Sequence, residues 1–372
     1  MSFAKNGVIH PKYRRFAHFI VSDILFKKLI LIFWCFFAAR KTTPHLLRAV
    51  TKTDKRMKII GTGSALPEKV VSNDMLAGFL ETSDEWITTR TGINTRRLLS
   101  SDNLGELAIT AARAAIETSH IDIENIDYII CSNVANNYVT PSLSTIIQGG
   151  LGDCSCPCMD LNGACAGFIY AIDIAEALLK TDRARNILIV CAEEPSKFCN
   201  WHQRETSVLF GDGAGAVVVT GGDNLLSRRV TAKSQKDVLY YKRPLESTPY
   251  DRSTENAEPL VMNGRDVFRM AVQGSLSDIN TLLDDAHMQP DDVDYYLLHQ
   301  ANMRIINSIR ENIKQPEEKF PCNLQRYGNT SSASIPILID ELAREHKLKE
   351  GALLMLSAFG AGFVTGGALL RW

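Results

Sequence analysis

Apolar residues recur along this chain with two periods. Over 104–119, 168–180, 267–287, 304–313 and 335–345 they return every three or four positions, the spacing of one buried helix face, which predicts five helices. Short unbroken apolar runs at 128–132, 187–191, 216–220, 295–298, 353–357 and 368–370 predict strands covered on both faces. A further strand is expected from Met57, where Met57-Lys58-Ile59-Ile60 runs into Gly61. Strands alternating with helices give an α/β fold. The stretch 221–260 is polar, carries several prolines, and reads as a connector or cap.

The two halves of the pattern echo each other. Asp127 opens one apolar run and Asp294 opens a matching one. Roughly thirty residues later each half offers small residues leading into an apolar helix, Gly163-Ala164-Cys165 in the first and Gly328-Asn329-Thr330 in the second. Each then gives a buried strand and a glycine-rich segment, Gly211 to Gly215 and Gly360 to Gly362. A duplicated α/β unit accounts for all of this and places a site between the halves. The expected organisation is an extension over 1–56, a first half over 57–225 and a second half over 226–372. Gly211-Asp212-Gly213-Ala214-Gly215 is not read as a dinucleotide loop, because a β-branched strand follows it where that motif needs a helix.

Charge sharpens the division. The chain has 372 residues and a formal net charge of −1, yet 12 of its 41 Lys and Arg lie in the first 56 positions. The remainder holds 29 basic and 40 acidic residues, so the body is acidic and unsuited to general nucleic-acid binding. Residues 29–39 are all apolar, but eleven residues are too few for a spanning helix of ~20. Extending the run toward Phe19 brings in Asp23, Lys27 and Lys28, which are costly in lipid. The preferred expectation is that the natural start lies at Met57. A membrane-associated segment over 19–39 is the second reading, and a secretory leader the third. The nine cysteines are odd in number and lack paired spacing, which argues against a disulfide framework. Cys154, Cys156 and Cys158 have no second pair to complete a zinc site, so no metal is expected. A reactive thiol suits a reducing compartment, and a cytoplasmic location is expected.

Three residues carry the candidate chemistry. Cys165 sits among small residues at the start of a predicted helix, where unpaired N–H groups favour thiolate and can hold an oxyanion. His299 ends the strand 295–298, at the edge where α/β sheets place ligands. Asn329 lies in a second turn into a helix. Taken singly these are an ordinary buried cysteine, a satisfied histidine and a turn former; at matching junctions of a duplicated fold they form a constellation.

From Met57 to Trp372 the chain resembles the β-ketoacyl-acyl-carrier-protein synthase III family, of the thiolase-like fold. The resemblance rests on Gly61-Thr62-Gly63-Ser64, Thr82-Ser83-Asp84-Glu85-Trp86-Ile87, Arg90-Thr91-Gly92-Ile93, Ala164-Cys165-Ala166-Gly167-Phe168, Phe210-Gly211-Asp212-Gly213-Ala214-Gly215-Ala216, His299-Gln300-Ala301-Asn302, Gly328-Asn329-Thr330 and Ala358-Phe359-Gly360. It implies two stacked halves in five layers, α-β-α-β-α. It implies that Cys165 takes an acyl group from acyl-CoA, while His299 and Asn329 stabilise the enolate of a decarboxylating malonyl carrier protein. The backbone N–H groups of Cys165 and Ala361 would form an oxyanion hole. For CoA, Trp86 and Arg204 would sandwich the adenine, Thr82 would bond its edge, Arg90 would meet phosphate, and Gly264 and Asn302 would line the pantetheine tunnel. Arg269 and Arg304 would dock acyl carrier protein, and Thr140 and Phe359 would shape the acyl pocket. A homodimer and the absence of any cofactor are also implied.

Three positions depart from the family pattern. Thr140 stands where phenylalanine often closes the partner's acyl pocket, Ala361 where glycine is usual, and Arg265 where asparagine is common. The residues alone leave two alternatives open: a specialised-metabolism acyltransferase or condensing enzyme of the same fold, and a non-catalytic acyl-binding protein.

Overall fold

The computed structural model describes residues 56–372 apart from 135, 137, 153, 243–247 and 251–257. They belong to one compact unit, Asp54–Trp372. The expectations for the leading extension, including its apolar run, lie outside the described residues.

The first half runs through β1 (Arg56–Ala65), a small ribbon of β2 (Val70–Ser72) and β3 (Thr95–Arg97), then β4 (Tyr128–Ser132), β5 (Cys158–Leu161), β6 (Asn186–Glu193) and β7 (Gly213–Gly222). Its sheet has the order β1-β7-β6-β4-β5, with β4 parallel to both neighbours. The second half supplies β8 (Leu225–Gln235), a ribbon of β9 (Leu239–Lys242) and β10 (Glu258–Met262), then β11 (Tyr295–Leu298), β12 (Leu353–Gly360) and β13 (Gly362–Arg371). Its sheet has the order β11-β12-β13-β8.

Strand alternation explains the layers. Ile187, Ile189 and Cys191 of β6 face one way, into a core shared with Leu354, Leu356 and Ala358 of β12. The helices Gly167–Lys180 and Ser334–Arg344 fill the space between the two sheets in that core. Leu188 and Val190 face the other way, onto helix Leu104–Ser119. Leu353 and Met355 likewise face helices Gly264–Ala286 and Met303–Ile313. The result is the five-layer α-β-α-β-α stack. Each fully buried Leu or Ile contributes about 1.5–3 kcal/mol relative to exposure, so a face of four or five such residues fixes which side of each sheet is inside.

The duplication holds at the level of single contacts. Helices Leu104–Ser119 and Gly264–Ala286 both end on a histidine in left-handed conformation, His120 at φ 56° and His287 at φ 55°. Asp127 accepts the N–H of Asn186 at the start of β6, and Asp294 accepts the N–H of Leu353 at the start of β12. The same interval separates Ala164 from Ser331, two non-glycine residues with positive φ at the entrances to the central helices.

One expectation is corrected. The polar stretch 221–260 is not merely a connector: Leu225–Gln235 is a full strand of the second sheet, paired along β13. It reads as polar because it is half-buried or exposed along most of its length.

Candidate active site

The carboxyl ends of the strands meet at a cavity of about 590 Å³ between the halves. Cys165, His299 and Asn329 all line it, so the three candidate residues converge.

Cys165 lies in a tight turn, Ala164–Ala166, that feeds the central helix Gly167–Lys180. Gly360 packs against this turn; a Cβ there would stand 2.7 Å from Cys165 N, so only glycine fits. Ala361 follows in the half-buried turn into β13 and is not on the described cavity wall. The expectation of a resting thiolate is overturned. Loss of solvent pushes the Cys165 thiol up to about 12, and the buried Glu193 carboxylate adds to the rise. The Ser331 hydroxyl, 3.3 Å from Sγ, and the Cys165 N–H offset only part of it. Burial therefore favours the thiol form of Cys165.

His299 continues β11, its N–H bonded to Ser357 O at 2.8 Å. Burial holds the imidazole neutral, with its pKa lowered to about 3. Its Nδ1 lies 2.7 Å from Ser334 Oγ, and that oxygen also accepts the N–H of Gln300 at 3.3 Å. The described partners of the Ser334 hydroxyl therefore leave Nδ1 as the acceptor of its proton. This fixes the tautomer with hydrogen on Nε2, which turns a neutral donor to the cavity. Phe359 packs edge-on against the ring at 5.4 Å and lines the same cavity.

Asn329 is clamped by its backbone: its N–H donates to Leu209 O at 2.9 Å and its carbonyl accepts the N–H of Gly211 at 3.0 Å. Its Oδ1 accepts the N–H of Ser331 at 2.9 Å. The amide orientation is thereby set, and Nδ2 is the free donor.

Of the six residues expected to hold CoA, four line the cavity, and Thr82 and Arg204 are not on its described wall. Trp86, Arg90, Gly264 and Asn302 all line it, as does Arg265. Helix Asp84–Thr91 carries Trp86 and Arg90 and stops at Gly92, φ 78°, where a Cβ would strike Met303. Asn302 caps helix Met303–Ile313 and donates to Arg90 O at 3.2 Å, tying the two helices together. Thr82 Oγ1 is buried without a hydrogen-bond partner among the described residues, an unmet capacity. Arg204 differs from expectation: it lies directly over Trp86, 4.5 Å from the ring centroid, and donates to Glu81 O at 2.6 Å. No gap separates Arg204 from the ring, and Arg90 also lies over it, 4.8 Å from the centroid.

Other expected positions divide. Arg304 lines the cavity mouth and is exposed. Arg269 lies off the wall, paired with Asp266 at 3.0 Å. Thr140 is exposed on the segment after β4 and does not line the cavity within one chain. Sequence reasoning missed Leu239, within the stretch read as a connector, and Met262, two residues beyond it, wall residues contributed by the β9–β10 ribbon. It also missed Ser331, Ser334 and Glu193; only the serine-rich run after Asn329 hinted at the first two.

A stacked, duplicated fold whose cavity gathers a thiol and neutral donors is that of the thiolase-like enzymes, which act through an acyl-cysteine. The family model described as 3-oxoacyl-[acyl-carrier-protein (ACP)] synthase III matches residues 159–236, and its C-terminal counterpart matches 283–372. A curated β-ketoacyl-[acyl-carrier-protein] synthase III of Clostridium acetobutylicum is 40% identical over 320 residues, covering 85% of this chain and 98% of that one. The crystal structure of 3-oxoacyl-[acyl-carrier-protein] synthase III from Aquifex aeolicus superposes with a TM-score of 0.79 at 38% identity, covering 85% of this chain and all of that one. The priming β-ketosynthase of the R1128 polyketide pathway gives a TM-score of 0.79 at 31% identity, covering 85% and 96%. The chain belongs to the β-ketoacyl-[acyl-carrier-protein] synthase III family.

Among the described residues no helix is long and apolar enough to cross a membrane.

Proposed function

We propose that the protein condenses an acyl-CoA primer with malonyl carrier protein to give a 3-ketoacyl carrier protein, opening fatty-acid synthesis. The observation that carries this reading is the convergence of Cys165, His299 and Asn329 on one cavity whose mouth presents Trp86, Arg90 and Arg304. In the first half-reaction the Cys165 sulfur bonds the acyl carbon, the bond from that carbon to the CoA sulfur breaks, and the thiol proton leaves with CoA. In the second, the malonyl carbon–carboxylate bond breaks and CO2 departs. The electron pair spreads onto the thioester oxygen, which accepts hydrogen bonds from His299 Nε2 and Asn329 Nδ2. The enolate carbon then attacks the acyl carbon. Cys165 leaves as thiolate and regains one proton from water. Neutral donors suit this step, since an imidazolium would quench the carbanion.

The backbone N–H groups of Cys165 and Ala361 hold the tetrahedral oxygen in this scheme. Gly360→Ala is expected to slow acyl-cysteine formation roughly tenfold or more by displacing the Cys165 N–H. Intact-mass time courses measure it; an unchanged rate would remove the Cys165 N–H from the oxyanion site. Arg204 moves off Trp86 to admit adenine, Thr82 bonds its edge, Arg90 meets phosphate, and Gly264 and Asn302 flank the pantetheine arm. Arg304 meets the acidic carrier, with Arg269 a lesser contributor because Asp266 already engages it. The chemistry needs neither metal nor organic cofactor. The enzyme works as a cytoplasmic homodimer, each Thr140 reaching the partner's acyl pocket.

A small Thr140 in place of phenylalanine leaves that pocket deep. In competition, medium-chain or branched acyl-CoAs are expected to acylate Cys165 at least as fast as acetyl-CoA. Strict acetyl preference would sink this. The likeness to a priming polyketide ketosynthase supports a second reading, in which the same condensation primes a specialised pathway. The deciding experiment for the main reading is malonyl-dependent release of CO2 coupled to loss of an acyl adduct from Cys165.

A further inference from the structure

Behind Cys165 lies a buried network that the condensation scheme leaves idle. Glu193 ends β6, wholly inaccessible to solvent. Its Oε1 accepts from Ser332 Oγ at 2.6 Å and Ser331 Oγ at 3.2 Å, and its Oε2 from the Val134 N–H at 3.1 Å. Ser331 Oγ in turn lies 3.3 Å from Cys165 Sγ. Ser331 is held at φ 53°, a conformation that non-glycine residues adopt under constraint, so its hydroxyl is aimed rather than free.

That hydroxyl has one proton and faces two acceptors. An ionised Glu193 claims it and sets a negative charge beside the sulfur. A protonated Glu193 instead donates to the Ser331 oxygen, and the serine proton turns to the sulfur. The other titratable groups facing the carboxylate are the thiols of Cys131 on β4 and Cys191 on β6. Among the described residues no cation contributes to its shift. Burial therefore acts unopposed by any counter-charge, and the carboxyl rises to about 7 despite its hydrogen bonds. The duplication shows why the group is unusual. Glu193 closes β6 at the position where Gly360 closes β12. One half leaves the strand end bare where the Cys165 turn packs against it, and the other fills it with an acid.

We propose that Glu193 is a positioning residue whose protonation state sets, through the Ser331 hydroxyl, how readily Cys165 gives up its proton. The inference rests on Cys165 being the nucleophile. No bond to carbon changes at Glu193; the hydrogen bonds of the trio reverse direction.

Iodoacetamide tests it without acyl-CoA or carrier protein, so its outcome is independent of the condensation reading. Alkylation of Cys165 is followed by peptide mass spectrometry from pH 5.5 to 9.5. Glu193→Gln keeps an acceptor for Val134 and a donor for the serines, and mimics the neutral acid. Its rate is expected to match wild type below pH 6 and to exceed it about tenfold above pH 8, the effect of about one pKa unit at the thiol. Ser331→Ala is expected to slow alkylation. A rate ratio for Glu193→Gln that stays flat across the range overturns the proposal. Should that variant fail to fold, an unchanged rate in Ser331→Ala overturns it equally.

Discussion

Cys165→Ser is expected to lower condensation by at least about 10⁴-fold and to abolish the acyl adduct seen by intact mass after exposure to acyl-CoA. The size follows from the local electrostatics. A serine hydroxyl ionises far less readily than a thiol, and nothing described at the site takes its proton. His299 turns Nε2–H to the cavity because Nδ1 is occupied by Ser334, so it is a donor there and not a base. Glu193, the nearest carboxylate, reaches residue 165 only through Ser331 and opposes anion formation. The enolate-stabilising pair is untouched, so slow CO2 release from malonyl carrier protein persists without product. Condensation within tenfold of wild type in the serine variant would remove Cys165 from the reaction.

Asn329→Ala is expected to separate the half-reactions. Acylation of Cys165 stays within about threefold of wild type, whereas condensation falls about 10²–10³-fold, the usual loss for one preorganised donor to a developing oxyanion. The amide is preorganised because Ser331 N–H fixes Oδ1, leaving Nδ2 as the only end free to donate. Equal loss in both half-reactions would mean that Asn329 supports the thiol and not the enolate. The partner donor, His299, sets the pH behaviour. Its folded pKa is lowered to about 3, so the neutral donor survives through the whole working range. A loss of condensation with an apparent pKa near 6.5 in the folded enzyme would contradict this assignment. Stability runs the other way. Below 6.5 the unfolded chain takes up a proton that the folded chain refuses until about 3, so His299 weakens folding progressively as pH falls across that window.

Strands β4 and β11 were legible to the residue, because a strand covered on both faces must be continuously apolar. The central helices were legible because one apolar face recurs at helical spacing. The polar edge strand β8 was not. In β8, Arg228 pairs with Asp173 and Glu176, and Arg229 with Asp278, so a polar stretch is held in a sheet by partners far away in sequence. The candidate site shows the same division. Cys165, His299 and Asn329 stand out because each sits in a turn into a helix of the duplicated pattern. The groups that tune them do not, since Ser334 acts on a histidine thirty-five positions away and Glu193 on a serine 138 positions away. The thiolate expectation failed for a related reason: local sequence reveals the helix end but not how completely solvent is excluded.

In the proposed scheme, the Arg204 guanidinium resting on the Trp86 indole makes the two substrates unequal visitors. A thioester carried by a nucleotide must exchange one stacking partner for another, so its base gains only the difference between the two. A thioester carried on a protein brings no base, and can extend its arm past the latch while the latch stays shut. The surface that must open for the first caller is thus already finished for the second, and departure of CoA restores it.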